Sequence, residues 1–228
     1  MAIGGVDKAL KVTSLNLFMS RAYLVELGGG VILVDAGMLG EEGRILRKIK
    51  TLGYDDLGLI FITHAHIDHY GSAAALREIT GAPIAVHSAD SEAMSLGETR
   101  LGTARGSGRL VERLFPVIQR LWPTPPTPAD IFLEDGDDLT HRGLKARLLH
   151  TPGHTLGSSS LLVGDVAFVG DLVTTTGRRP RLQRFYAESW PLLGTSLKRL
   201  IDDSPQIVHP GHGRNPLGTR ELRQLALN

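Results

Sequence analysis

The stretch Thr63-His64-Ala65-His66-Ile67-Asp68-His69 places three imidazoles and one carboxylate within six residues, directly after the apolar run Leu57 to Ile62. Neutral imidazole nitrogen and carboxylate oxygen are donors that zinc, iron and manganese accept. If the segment continues extended, His64, His66 and Asp68 alternate onto one side of the backbone, and His69 falls where the chain can turn into a helix. A lone histidine in such a place is ordinarily a strand-end polar residue; four ligand-type residues in so short a span point to a metal site. Leu57 to Ile62 reads as a buried strand, so the cluster lies at its C-terminal end.

Working outward, Ala22 to Leu27 and Val31 to Val34 flank Gly28-Gly29-Gly30 and predict two strands joined by a hairpin turn, the second ending at Asp35. Glu41 to Leu52 predicts a short amphipathic helix, Gly71 to Ile79 another, and Pro83 to Val86 a strand ending near His87. From Ser91 to Asp130 the pattern changes. A glycine- and arginine-containing stretch precedes a helix over Leu110 to Leu121, and then Trp122-Pro123-Thr124-Pro125-Pro126-Thr127-Pro128 can neither continue a helix nor join a sheet. This segment is expected to be an ordered insertion or lid over about 91–130 that returns to the core near Ile131. Strand-like runs follow at Leu144 to Leu149, Ser159 to Val163 and Val166 to Val169. Leu192 to Ile201 predicts a helix, Gln206 to Val208 a strand, and Pro216 to Leu227 a C-terminal helix. Two strand sets separated in sequence, each with its own helices, predict two sheets packed face to face with helices outside.

Composition narrows the chemistry. At 228 residues the chain is most economically one domain over 1–228. Lys plus Arg is 25 against 24 for Asp plus Glu, a formal charge of +1, so nucleic acid is not an expected partner. The absence of cysteine excludes disulfides, thiolate nucleophiles and Cys-ligated metals, leaving His, Asp and Glu to hold any ion. Neither a signal peptide pattern in Met1 to Val12 nor an apolar run near the roughly 20 residues of a membrane span is present, which leads to the expectation of a soluble, cytoplasmic protein without a membrane partner.

Three further segments place ligand-type residues after apolar runs: His150-Thr151-Pro152-Gly153-His154, Val169-Gly170-Asp171 and His209-Pro210-Gly211-His212-Gly213. Glycine stands before the candidate ligand, as expected where backbone turns sharply and approaches a site closely. His209 competes with His212, and the flanking glycines favour the latter. Read in order, His64, His66, Asp68, His69, His154, Asp171 and His212 resemble the five-motif pattern of the metallo-β-lactamase-fold hydrolases over residues 20–215, and Asp35 fits the first motif.

The resemblance implies an α/β fold of four layers, an αβ/βα sandwich of two mixed sheets with a two-metal site at one edge. It implies that His64, His66 and His154 hold one divalent metal, that Asp68, His69 and His212 hold the other, and that Asp171 bridges them. Zinc is expected, with iron or manganese as alternatives. By the resemblance Asp35 would fix a loop or a ligand's orientation, with a strand-ending turn aspartate as the alternative; from its place before the His154 loop His150 reads as a satisfied strand-end histidine or as a hydrogen-bond donor behind that loop. Two metals with open positions lower the pKa of a bridging water toward about 7 and generate the nucleophile, with Asp68 orienting it and shuttling a proton. Tyr70 and Tyr186 are candidates for a substrate pocket, Trp190 with them; His87 and His141 read as structural, and Arg178-Arg179-Pro180-Arg181 as a solvated loop.

Within so broad a family, fold does not choose the substrate. Asp171 argues against a true β-lactamase, the insertion is too short for a nuclease of the β-CASP type, and His66 stands where flavodiiron proteins need an acid. These departures leave a small-molecule substrate with an ester-type bond: a lactone, a carboxylic ester or a thioester. A glyoxalase II-like thiolesterase is the alternative, although the sixteen residues after His212 are too few for that group's helical domain. A metal-loaded sensor or binding protein without turnover is the alternative of another class. Leu110 to Trp122 offers its apolar face to a second subunit as readily as to its own core, so a homodimer stands among the expected assemblies.

Overall fold

Both faces of the first sheet are apolar, which is why its strands read as hydrophobic runs rather than alternating ones. The structure, a computed structural model, describes residues 10–27, 30–139 and 145–227. In the first half the elements run Lys11–Asn16 (β1), Arg21–Leu27 (β2), Gly30–Val34 (β3), Glu42–Thr51 (α1), Leu59–Phe61 (β4), Ile67–Tyr70 (α2), Ala73–Thr80 (α3), Ile84–His87 (β5), Ser88–Leu96 (α4), Thr103–Ala104 (β6), Gly108–Leu121 (α5) and Ile131–Leu133 (β7). Strands β1, β2 and β3 pair antiparallel, and β3, β4, β5 and β7 continue the same sheet in parallel.

Side-chain alternation then sorts the layers. Tyr23, Val25, Ile32, Val34, Leu59 and Phe61 face a second sheet, while Leu24, Leu33 and Ile60 face helices and pack with Ile45, Ile49, Leu76, Ala93 and Met94. The second half supplies Arg147–His150 (β8), Ser159–Val163 (β9), Val166–Phe168 (β10), Val173–Thr175 (β11), Arg181–Leu182 (β12), Tyr186–Ala187 (β13), Trp190–Asp202 (α6), Ile207–His209 (β14), His212–Gly213 (β15), Leu217–Gly218 (β16) and Thr219–Leu225 (α7). Its main sheet has the order β16-β14-β10-β9-β8. Leu161, Val163 and Phe168 point toward the first sheet; Leu162, Ala167 and Val208 point to α6 and α7, against Leu193, Leu197, Leu200 and Leu222. Helix, sheet, sheet, helix is the order of layers. The ends of β3, β4, β5, β8, β10 and β14 lead into the loops that carry the residues singled out above.

Three expectations need correction. The chain does not stay extended past His66: α2 begins at Ile67, so Asp68 lies in a helical turn with His69, and a break at Gly71 and Ser72 separates it from α3. The segment 91–130 is not one inserted lid. Its start belongs to α4, which buries Asp90, Ala93 and Met94, and β6 pairs with β13, so only α5 projects. Finally, the C-terminal helix starts at Thr219 because Leu217 and Gly218 pair with β14 first. His141 and the turn residues Gly28 and Gly29 lie outside the described residues. No helix among the described residues is long and apolar enough to cross a membrane.

Phe61 is fully buried between the two sheets, on the strand that delivers Thr63 and His64. Phe61→Ala is expected to lower stability by about 3–5 kcal/mol in denaturant unfolding, the range for emptying a buried aromatic site; a loss under 1 kcal/mol would mean that the sheets do not close on this residue.

Candidate metal centre

Ligand-type atoms from four loops converge at this sheet edge. Among the described residues three groups have donor atoms within 4.8 Å of one another: His64, His66 and His154; His64, His69 and Asp171; and Asp68, His69 and His212. His154 Nε2 stands 3.0 Å from His66 Nδ1, and His69 Nε2 stands 3.4 Å from His212 Nε2. Asp171 lies between the groups. Its Oδ2 is 3.4 Å from His154 Nε2, and its Oδ1 is 3.3 Å from His212 Nε2 and 3.5 Å from His69 Nε2. Asp68 Oδ2 is 3.2 Å from His212 Nε2.

Each ring's outward nitrogen is held by an acceptor. His66 Nε2 donates to the Arg100 carbonyl (3.0 Å), His154 Nδ1 to the Tyr186 carbonyl (3.2 Å) and His212 Nδ1 to the Met19 carbonyl (2.9 Å). His69 Nδ1 donates to Asp35 Oδ2 at 2.8 Å. His64 Nδ1 donates to Thr63 Oγ1 at 3.0 Å, and that hydroxyl passes its own proton to the Asp35 carboxylate. A carbonyl oxygen carries no proton, so the ring nitrogen facing it is the N–H, and in a neutral ring the inward nitrogen is then a lone pair. Such outward partners fix the tautomer of metal-ligating histidines.

Lone pairs and carboxylates facing one another in a buried pocket need a cation between them. His64 Nε2 and Asp171 Oδ1 are buried without any hydrogen-bond partner. An orphaned acceptor costs free energy unless an ion or proton satisfies it, so the residues present fit bound metal.

The proton balance differs between the two ends. Burial, with His69, His154 and His66 as like-charged neighbours, pushes His64 well below its ordinary value. Burial and His66 bring His154 down to about 3. At the other end burial also lowers His69, but Asp68, Asp35 and Asp171 outweigh it and raise it to about 9. His212 is likewise raised, against the cost of burial, chiefly by Asp171 and Asp68. Burial favours the neutral acids at Asp68 and Asp171, yet the neighbouring imidazoles hold both carboxyls below the usual range.

Two carboxylates behind the cluster tie its loops together. Asp35, expected to fix a loop or ligand, accepts from the Thr63 amide and hydroxyl and from His69, joining β3, β4 and α2. It does so at φ 60°, a left-handed conformation that costs a non-glycine residue about 1–2 kcal/mol. Asp90 was not singled out from the sequence. Its carboxylate accepts the Ala65 amide (2.7 Å), the Thr155 hydroxyl (2.8 Å) and the Gly157 amide (2.8 Å), clamping the His64–His66 turn to the His154 loop. The available signal was an acidic residue in the first helical turn after a strand-end histidine. Glycine is required at two points: a Cβ on Gly170 would stand 2.6 Å from Thr63 Oγ1, and one on Gly211 would stand 2.7 Å from His69 Cε1.

The remaining candidates fall differently. Tyr70 is fully buried and donates to the Glu98 carbonyl, so it holds the 98–100 segment. Tyr186 sits beside the cluster, its ring 5.5 Å from that of His154. His150 stacks on His87 at 3.8 Å and donates to the Leu156 carbonyl, bracing the His154 loop. His209 stacks on Phe168 away from the cluster. Trp190 receives the Arg105 guanidinium on its ring.

The sequence profile of the metallo-beta-lactamase superfamily matches residues 15–212, and the chain belongs to that superfamily. A beta-lactamase hydrolase-like protein of Xylella fastidiosa is 29% identical over 163 residues, 70% of this chain but only 33% of that relative's length. A hydroxyacylglutathione hydrolase of Shewanella pealeana is 30% identical over 159 residues, covering 69% of this chain and 44% of the relative. Among solved structures, that of TTHA1623 in a di-iron-bound form superposes with a TM-score of 0.69 at 29% identity, covering 94% of this chain and 98% of the other.

Two outcomes follow for metal uptake. His69 carries its proton below about 9 and a cation must expel it, whereas His154 has none to lose above about 3. Lowering the pH from 9 toward 6.5 should therefore weaken uptake at the Asp68–His69–His212 end by up to about tenfold per unit for each proton expelled, and leave the His64–His66–His154 end nearly flat. Calorimetry in buffers of different ionisation enthalpy reads this directly; two equally flat affinities would contradict it. Asp90→Asn should weaken retention of the cation among His64, His66 and His154 by about 10- to 100-fold in chelator competition, and unchanged retention would remove Asp90 from the support of the site.

Proposed function

We propose that the protein is a binuclear metal-dependent hydrolase acting on a small ester-type bond: a lactone, a carboxylic ester or a thioester. The observation that supports this reading above all is the convergence of five tautomer-fixed imidazoles and two carboxylates at a pocket open on one side. Side-chain exposure is 0% at His69 and His154 but 14% at Asp68 and 21% at His212, so access is from the Asp68–His212 side. In this reading His64, His66 and His154 hold one cation and Asp68, His69 and His212 the other, and Asp171, with one oxygen toward each end, serves both. Two divalent cations bound there supply Lewis acidity toward a carbonyl oxygen and acidify a water toward neutrality. Zinc, iron and manganese all suit the donor set; zinc is our choice, and the di-iron neighbour makes iron the first alternative.

The chain's own groups complete the reaction. Asp68 is ionised and stands at the open edge, where it orients the attacking water and carries its proton toward the leaving group. Tyr186 keeps its hydroxyl proton, because burial and the Asp171 and Asp68 carboxylates raise its pKa, and so acts as a donor toward a substrate oxygen. The His212 ring donates to the Met19 carbonyl, and Phe18 and Met19 are exposed on that segment, which supports an apolar acyl group as part of the substrate. The relative named as a hydroxyacylglutathione hydrolase favours a thioester as the second reading.

A panel of lactone, thioester, phosphodiester and β-lactam substrates tests this. Turnover is expected on the first two classes, and Asp68→Asn should lower kcat by about 100-fold or more while most of the metal stays bound. Activity confined to phosphodiesters would contradict the substrate class, and full activity of Asp68→Asn would contradict the role of Asp68.

A further inference from the structure

The arginines after Gly177 read from the sequence as a solvated loop, yet Arg181 opens β12 and joins a sheet that carries a ligand-type residue. Strands β12, β11 and β15 pair in that order, and β15 begins with His212. Directly paired residues on neighbouring strands present their side chains on one face. Thr174 pairs with Arg181 on one side and with His212 on the other, so Arg181, Thr174 and His212 form a row across the sheet. At about 4.8 Å between strands, the row sets Arg181 about 10 Å from His212.

Neighbouring residues fix which way that face looks. Val173 and Leu182, the adjacent pair, turn the other way and pack in the cluster that holds Leu193 and Leu197 of α6. Gln183, two residues after Arg181, donates from its amide to Asp171 Oδ2 at 3.4 Å, and its Oε1 accepts the Arg184 and Phe185 amides, so its NH2 end is the one aimed at the metal centre. Arg181 therefore stands on the face that looks onto the open side of the site, where the His212 side chain is 21% exposed.

Charge singles out the same residue. Residues 173–184 contain four arginines and no acidic residue, in a chain of net charge +1. Arg178 and Arg179 line a cleft with Glu221 of α7, and Arg184 lies over the Phe185 ring. The Arg181 side chain is exposed and, among the described residues, has neither a hydrogen-bond nor an ion-pair partner. We propose that Arg181 binds an anionic oxygen group, a carboxylate or a phosphate, at the far end of the substrate, about 10 Å from the His212 edge of the site. A guanidinium grips either group with two parallel hydrogen bonds. This assignment, which rests on the ester-type reading above, narrows the substrate to an ester, lactone or thioester with an anionic tail.

Calorimetry on the metal-loaded protein with suberate and octanoate reads the subsite without turnover, because the two share a carboxylate for the cations and differ at the other end. Beyond the twofold statistical gain of its two equal ends, suberate should bind about 5- to 10-fold more tightly, as for a charge-assisted pair at an exposed site, and high salt should narrow the gap. Arg181→Gln should remove this excess, Arg181→Lys should restore part of it and Arg178→Gln should leave it intact. No excess for suberate, or an excess that survives Arg181→Gln, overturns the proposal. Kinetics with 4-nitrophenyl octanoate, 4-nitrophenyl hemisuberate and 4-nitrophenyl 7-phosphonoheptanoate should show a lower KM at similar kcat for an anionic tail, and the tail whose KM rises more in Arg181→Gln names the anion. Equal KM for all three esters overturns the proposal while the ester-type reading stands. Absence of turnover on every ester contradicts that reading instead, and the calorimetric comparison still decides the role of Arg181.

Discussion

Five histidine rings turned so that their N–H groups point away from a common centre are the constraint on which the site depends. Three of the five acceptors are main-chain carbonyls, at Met19, Arg100 and Tyr186, and the other two lead to the single carboxylate of Asp35. With those protons committed outward, the inward nitrogens of His64 and His154 are lone pairs, while His69 and His212 hold a second proton against the oxygens of Asp68 and Asp171 until a cation displaces it. The sandwich supplies the free energy that holds such an arrangement together. Two sheets and two helical layers bury apolar side chains on every strand that leads into the site, and the unfavourable polar cluster is confined to one edge.

The rigidity of that edge is distributed. Asp35 binds the first strands to the histidine turn, and Asp90 binds the same turn to the loop of the second half. Tyr23 donates from the first sheet to the Pro210 carbonyl at 2.6 Å, anchoring the loop that presents His212. Each tie crosses between segments far apart in sequence, so the two halves of the chain have to pack before the ligand groups exist.

The ligands were legible in the sequence because they are side chains of distinctive type, clustered at His64 to His69 and marked elsewhere by a neighbouring glycine. The two sheets were legible because doubly buried strands leave apolar runs. What the sequence hid is of another kind. A carbonyl acceptor at Arg100 or Met19 has no residue signature, since every residue carries one. Asp90 looked like an ordinary helix-start acid, and its partners are backbone amides more than sixty residues on as well as near at hand. Extended geometry through Asp68 was the natural expectation from alternation, but the His69 and Tyr70 amides both close onto the His66 carbonyl and start the helix early. Tyr70 is a pocket candidate from the sequence, although an aromatic in such a place is more often core, and the helical turn puts it in the core.

Anomalous diffraction from crystals of the protein loaded with zinc or iron tests the central claim most directly. The account predicts two metal peaks per chain, one among His64, His66 and His154 and one among Asp68, His69 and His212, with Asp171 contacting both. Crystals grown in excess metal that show these side chains in place but no metal between them would contradict it.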